Sequence, residues 1–348
     1  MKHGSFAEHG LAKKPVFKRK ELRLSQESLV TSGYLPETDN FPLVVEPATP
    51  GVNLAQWATG AGEYLERELL RHGAILFRGF GVEKAEGFEA VARAISPQLL
   101  DYRERAAPRI EVGKNVYTST EYPPDLPVPL HHEMSYSHNW PMKIWFFCLQ
   151  KPLERGATPI ANDRVVLHRL DAKLKEQFIA KKVMYARNYG DGPDLSWQDA
   201  FQTTDKSVVE EYCRQAHMDF EWKGEQRLRT RQVRPAIISH PKTGEEVWFN
   251  HAHMFHVSNL DPALRESLLA ELAEEDLPRN SYYGDGSPIE DSVLDEIRGV
   301  YNESSVRFSW QEGDVLMLDN MLASHGREPF VGPRKILVSM AEPFTMFS

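Results

Sequence analysis

Short apolar runs bounded by turn residues stand in both halves of this chain, with helical patterns inserted between them. Ala74-Ile75-Leu76-Phe77 reads as a buried strand, and so does Trp145-Phe146-Phe147-Cys148-Leu149 within 143–149. Residues 130–134 predict a strand just before it, across a turn at Trp140-Pro141. Three more strands are expected near the C-terminus, at 306–310, 314–318 and 336–340. Between these groups the apolar spacing turns helical from 164 to 215, through Leu167, Leu170, Leu174, Phe178, Val208, Val209 and Tyr212. Ala236-Ile237-Ile238 and Val247-Trp248-Phe249 flank Pro241-Lys242-Thr243-Gly244 and predict a hairpin. Helices are also expected at 54–71, ending at Gly73, at 86–95, closed by Pro97, and at 262–275 and 288–301. Strands on both sides of inserted helices fit an antiparallel double-sheet jelly roll, mainly β with α insertions and flanking helices.

With 348 residues, 41% of them hydrophobic, the chain can bury one large core. We expect a partly ordered arm over 1–40, then one domain over 41–348 with a helical insert at about 164–235. A net charge of −9 argues against a general nucleic-acid binder, which needs a basic face. Cys148 and Cys213 are too few for a disulfide framework, which points to a reducing cytosol. No run of 18 apolar residues is present to span a membrane. The basic N-terminal stretch lacks an apolar core and carries Glu8, Glu21 and Glu27, unlike a secretory or mitochondrial leader. No glycine-rich phosphate loop sits at a strand-to-helix junction.

The chemistry-bearing residues fall in two distant segments, Leu130-His131-His132-Glu133-Met134 and Ser324-His325-Gly326-Arg327. Two imidazoles and a carboxylate on one face of a metal are the ligand set of non-haem Fe(II) oxygenases. Yet with 13 His and 50 acidic residues, a His-x-acid pattern is expected about twice by chance. It occurs at His131-x-Glu133 and at His217-x-Asp219. His217 follows a charged helical run and reads as a histidine at a helix C-terminus. On an extended strand, His131 and Glu133 share one face and His132 takes the other. A buried carboxylate beside a histidine needs a partner, and a metal is one that satisfies both.

The stretch from Leu130 to Ser137 with Trp140-Pro141 resembles the first metal-ligand segment of the taurine dioxygenase-like (TauD/TfdA) superfamily. The similarity continues through Gly156-Ala157-Thr158-Pro159-Ile160, Asp163-Arg164-Val165-Val166 and Ser196-Trp197-Gln198-Asp199-Ala200-Phe201. It resumes at His240-Pro241-Lys242-Thr243-Gly244, Trp248-Phe249-Asn250-His251 and the run from Gly313 to Asn320. It ends at His325-Gly326-Arg327 and Gly332-Pro333-Arg334-Lys335, with the motifs in family order. Glu rather than Asp at position 133 and the long insert before His325 resemble the branch of clavaminate synthase-like enzymes and amino-acid hydroxylases of peptide natural products.

The resemblance implies an Fe(II)- and 2-oxoglutarate-dependent dioxygenase, with O2 as co-substrate and succinate and carbon dioxide as products. It implies iron on His131, Glu133 and His325. Arg334 is then expected on the distal carboxylate of 2-oxoglutarate, where a planar guanidinium pairs bidentately, supported by Thr158. Lys335 is a rival, facing the opposite way on the same strand. Because Glu133 is a carboxylate rather than a small residue, halogenation is disfavoured. Hydroxylation of an unactivated C–H bond is the expected outcome, with desaturation, epoxidation or cyclisation as alternatives. The expected substrate is an amino acid or derivative, free or tethered to a carrier protein, with no nucleic-acid or membrane partner and with self-association an option.

Substrate contacts are expected from Asn250, His251, Arg327, Tyr117 and Ser119, with Thr118 between the last two. His251 and His253 share a face on a continuing strand, with His256 nearby, so a second metal site is an alternative there. Arg327 has a substrate acid or Glu328 as its expected partner. Two other classes stay open, a zinc hydrolase and a non-catalytic jelly-roll binding protein. The first lacks a His-Glu-x-x-His helix, and the second does not need Arg334.

Overall fold

A computed structural model describes residues 26–100, 104, 109–119, 122–190 and 194–346. An eight-stranded sheet forms its base, in the order Val30–Tyr34, Leu43–Pro47, Ala74–Phe77, Val315–Asp319, Asn139–Gln150, Lys335–Thr345, Val116–Thr118, Glu111–Gly113. Neighbours are antiparallel except Leu43–Pro47 against Ala74–Phe77. A second sheet of four strands lies opposite, in the order Ser305–Val306, Ile160–Asn162, Ala323–Arg327, Val128–His131. The two together make the expected jelly roll.

The base strands read as continuous apolar runs because both of their faces are covered. Ile144, Phe146 and Cys148 point between the sheets, where they meet Ile160, Ala323, Ile336 and Val338. The alternate residues Trp145 and Phe147 point outward onto Trp57, Leu65, Leu69 and Phe88 of the covering helices. Each such fully buried side chain contributes about 1.5–3 kcal/mol of transfer free energy. Those helices are Leu54–Gly60, Gly62–His72 and Ala85–Ile95. The single helix expected over 54–71 is broken at Ala61, where glycines on either side weaken a continuous helix. Gly73 ends it as foreseen, at φ 80°, and a Cβ there would meet the Leu322 carbonyl oxygen at 3.1 Å.

The insert is not all helix. Val183–Tyr189 is a strand in a separate antiparallel sheet with Arg227–Arg234, Asp219–Lys223 and Arg279–Tyr283. Its inward face is Val183, Tyr185, Arg187 and Tyr189, all buried. A buried arginine in that alternation hides the strand period from a hydrophobic reading. The hairpin forms as Ile237–Ser239 with Glu246–Trp248. Of the strand expected at 306–310 only Ser305–Val306 pairs, and of the N-terminal arm residues 1–25 lie outside the described residues. Among the described residues no helix is long and apolar enough to cross a membrane.

Candidate active site

Sheet pairing brings the two distant histidines together. His131 ends the strand Val128–His131, and its Cα partner on Ala323–Arg327 is His325. Their rings lie 4.4 Å apart, centroid to centroid. A bulge follows between His325 and Arg327. Gly326 sits in it so close to the neighbouring strand that a Cβ would stand 2.7 Å from the Val128 carbonyl oxygen.

Glu133 arrives by a different route from the one strand parity suggests. The strand stops at His131, and Glu133 opens a turn in which Met134 takes φ 60°. What fixes this turn is Asn320. Its Oδ1 accepts from the Glu133 N–H at 2.7 Å, and its Nδ2 donates to the Glu133 carbonyl at 2.8 Å and to the Pro141 carbonyl at 2.9 Å. His132 does point away, its Nε2 3.0 Å from Asp163 Oδ2 with both side chains fully buried.

His131, Glu133 and His325 each offer a donor atom within 4.8 Å of the others, the one such cluster of three among the described residues. The donor set fits a divalent metal. His131 Nδ1 lies 2.8 Å from the Pro129 carbonyl, which only accepts, so Nδ1 carries the proton and Nε2 keeps its lone pair. Burial lowers the pKa of His131, partly offset by Glu133, and lowers that of His325 further, helped by His131 and Arg109. Both imidazoles are therefore neutral at pH 7, the form that ligates metal. His325 Nδ1 is buried with no protein hydrogen-bond partner.

His131 and His325 form part of the wall of a cleft that also takes in Arg109, Ser119, Thr158, Arg327 and Arg334, with Glu133 just behind them. Arg334 donates from Nε to the Gly156 carbonyl at 2.9 Å and from Nη2 to Thr158 Oγ1 at 3.1 Å. Thr158 Oγ1 also accepts from Trp310 Nε1 at 3.2 Å. Burial, with Arg327 nearby, pushes the Arg334 pKa down to about 10, so it stays cationic at pH 7. Among the described residues no carboxylate ion-pairs with it. Lys335 is exposed, so the guanidinium and not the ammonium faces the cleft.

The expected substrate contacts divide. Ser119 and Arg327 line the cleft. Arg327 does not pair with Glu328. It donates to the carbonyls of Tyr122, Pro123 and Leu126 at 2.9, 2.6 and 2.8 Å, while Glu328 pairs with Arg307 at 2.9 Å. Tyr117 packs in the core between the sheets, and Thr118 accepts from the Ile110 N–H at 3.0 Å. Asn250 Oδ1 accepts from the N–H of Ala252, the first residue of the short helix Ala252–Phe255, at 3.1 Å, and its Nδ2 donates to the Ala236 carbonyl at 3.1 Å. That helix replaces the continuing strand expected there, so the three histidines part. His251 Nδ1 lies 2.6 Å from Ser135 Oγ, its ring edge-on to His131 at 5.4 Å. His253 Nε2 reaches the Leu130 carbonyl at 2.8 Å and His256 Nδ1 the Ser258 hydroxyl at 2.8 Å. His251 and His253 back His131 and its strand, and among the described residues the three histidines do not gather as a second metal site.

Two residues of the site escape a reading of the sequence alone. Asn320 lies inside the Gly313–Asn320 motif without a visible reason to matter. Arg109, whose Nη2 meets Glu133 Oε2 at 2.7 Å, stands in a stretch with no periodicity or motif at all.

Comparison with known proteins agrees with this geometry. Residues 39–340 match the family model described as "Taurine catabolism dioxygenase TauD, TfdA family". The chain is 41% identical to the dapdiamide synthesis protein DdaC of Enterobacter agglomerans, over 80% of this chain and 85% of that one. It is 32% identical to a clavaminate synthase-like protein of Arabidopsis thaliana, over 88% and 95%. In fold it is similar to PvcB of Pseudomonas aeruginosa, at TM-score 0.53 and 16% identity over 93% and 94% of the two chains. PvcB is described as an Fe, α-ketoglutarate dependent oxygenase from an isonitrile synthetic pathway. The chain therefore belongs to the TauD/TfdA family of Fe(II)- and 2-oxoglutarate-dependent dioxygenases, acting on a small-molecule substrate.

Proposed function

We propose that the chain hydroxylates an unactivated C–H bond of an amino acid, or a small molecule made from one, during natural-product biosynthesis. In this reading His131, Glu133 and His325 hold Fe(II), and Arg334 with Thr158 holds the distal carboxylate of 2-oxoglutarate. The observation that carries it is one cleft lined by two imidazoles of a buried three-donor cluster and by a guanidinium that, among the described residues, ion-pairs with no carboxylate. The naming of DdaC as a dapdiamide synthesis protein and of PvcB as an oxygenase of an isonitrile pathway supports the biosynthetic setting.

Iron with 2-oxoglutarate supplies oxygen activation, coupled to release of succinate and carbon dioxide. The protein's part is to place and to exclude. Arg334 and Thr158 orient the co-substrate, a contribution of the charge-assisted, two-point kind. The neutral imidazoles and the Glu133 carboxylate would hold the metal and would set the net charge of the site. Phe146, Ile336 and Val338 form an apolar part of the cleft wall, which limits water near the reacting C–H bond. Where the substrate sits against that face selects hydroxylation over desaturation, epoxidation or cyclisation. The two cysteines, Cys148 and Cys213, are free and buried, with their thiols pushed up to about 12, in keeping with a cytoplasmic enzyme. Delivery of the substrate on a carrier protein and self-association both belong to the proposal.

A panel of amino acids and derivatives, free and carrier-bound, assayed for substrate-dependent succinate release, tests the substrate class. A panel that leaves succinate release at its background, while a molecule unrelated to amino acids raises it, overturns that class. Anaerobic Fe(II) and 2-oxoglutarate should give a weak visible charge-transfer band in the parent chain. Its absence in folded protein overturns the ligand assignment.

A further inference from the structure

We propose that Arg109 is a positioning residue for Glu133: its guanidinium fixes the carboxylate toward the two imidazoles and so sets how tightly the site takes a divalent cation. The inference rests on the triad reading above. Its first support is geometric. Arg109 Nη2 lies 2.7 Å from Glu133 Oε2, and the same oxygen is 3.9 Å from His325 Nε2. The guanidinium therefore contacts a carboxylate oxygen that also lies within 4 Å of the imidazole. Both side chains are buried, at 4% and 5% exposure, so the contact is poorly screened by solvent.

The second support is the way Glu133 is otherwise held. Asn320 clasps its backbone N–H and carbonyl, which fixes where the side chain starts but not where the carboxylate ends. A glutamate has three side-chain torsions, and the Arg109 contact restricts which of their outcomes the carboxylate takes. The other cationic residues of the cleft are committed elsewhere, Arg327 to three carbonyls and Arg334 to Gly156 and Thr158.

A third support comes five residues upstream. Glu104 is fully buried, and its carboxylate accepts from Ser137 Oγ and Tyr212 Oη, each at 2.5 Å, and from Gln232 Nε2 at 3.0 Å. Its carbonyl accepts from Tyr136 Oη at 2.7 Å. Tyr136 and Ser137 continue the turn that Glu133 opens, so Glu104 and Arg109 grip the same turn at two points. A cation beside a ligand oxygen also repels an incoming metal. Orientation outweighs this, because partners of ligating carboxylates contribute about 10–100-fold in metal affinity.

The test uses the full chain stripped of metal and titrated with Mn(II) by calorimetry, comparing the parent with Arg109→Met, Arg109→Gln and Arg109→Lys. Arg109→Met should weaken Mn(II) binding by about 10–100-fold, with Arg109→Lys recovering most of the loss and Arg109→Gln little. Co(II) absorption gives a second readout, since the bands of Arg109→Met should shift toward those of Glu133→Ala. Parental affinity and spectra in folded Arg109→Met overturn the proposal. If that variant does not fold, parental affinity in both the Gln and Lys variants does the same. A parent chain that takes no Mn(II) overturns the triad and this role together, whereas normal binding in parent and variants alike overturns the Arg109 role alone.

Discussion

The segments His131-x-Glu133 and His217-x-Asp219 share a sequence pattern and differ in everything around it. His217 is exposed on the turn after the helix Lys206–Gln215, at φ 49°, and Asp219 starts an outer strand. His131 and Glu133 are buried, one closing a strand and the other opening a turn. The decisive difference lies across the sheet. His131 faces a second imidazole, His325, on the paired strand, and Asn320 from a neighbouring loop holds the backbone of Glu133. Nothing comparable gathers around His217, for among the described residues the one three-donor cluster is at His131. A two-residue motif becomes a site when sheet pairing adds the third donor and burial removes competing water.

Breaking the cross-strand partner should have the largest effect. We expect His325→Ala to abolish 2-oxoglutarate-dependent succinate formation, and undiminished turnover would sink the triad. Next comes the far end of the same cleft. Arg334→Met removes a part-buried cation from its expected carboxylate, a loss of about 2 kcal/mol or more. The KM for 2-oxoglutarate should therefore rise about thirtyfold or more, and a KM within a few-fold of the parent would contradict the role given to Arg334.

A smaller loss is expected from the support of Glu133. Asn320→Ala leaves the buried N–H and carbonyl of Glu133 without these partners and should cost about 1–3 kcal/mol in stability. Denaturant midpoints would read this directly, and an unchanged midpoint would show that the clasp is dispensable. Smallest of all is the control on the twin motif. His217→Ala should leave stability within about 0.5 kcal/mol of the parent and turnover unchanged. A marked loss of turnover there would mean that the two segments are less different than the fold makes them.

The same comparison marks how far the sequence carries. The strands 74–77 and 143–149 were legible because their apolar runs are long enough to need cover on both faces, and the helix stop at Gly73 because its φ suits glycine. His131, Glu133, His325, Thr158 and Arg334 were legible as motif residues in order along the chain; in the structure four of them line one cleft, and Glu133 has a donor atom within 4.8 Å of those of the two histidines. The reason given for Glu133 was not sound, since the strand ends two residues before it. The strand Val183–Tyr189 was missed because Arg187 occupies an inward position and breaks the apolar alternation. Asn250, His251 and Arg327 carry chemistry that suits a substrate, and each also makes hydrogen bonds within the protein: to the Ala252 N–H, to Ser135, and to three loop carbonyls.

What the sequence determined by itself was the core strands and most of the covering helices, the net negative charge, and the residue types suited to a metal and a dicarboxylate. Those follow from local spacing and from side-chain chemistry, both of which are properties of the chain before it folds. Only the tertiary structure decided that His325 lies opposite His131, that Arg334 rather than Lys335 enters the cleft, and that Asn320 and Arg109 hold Glu133. Contacts between residues 24 and 194 positions apart depend on sheet register and on a turn after the strand. Neither is encoded in the spacing of any one segment.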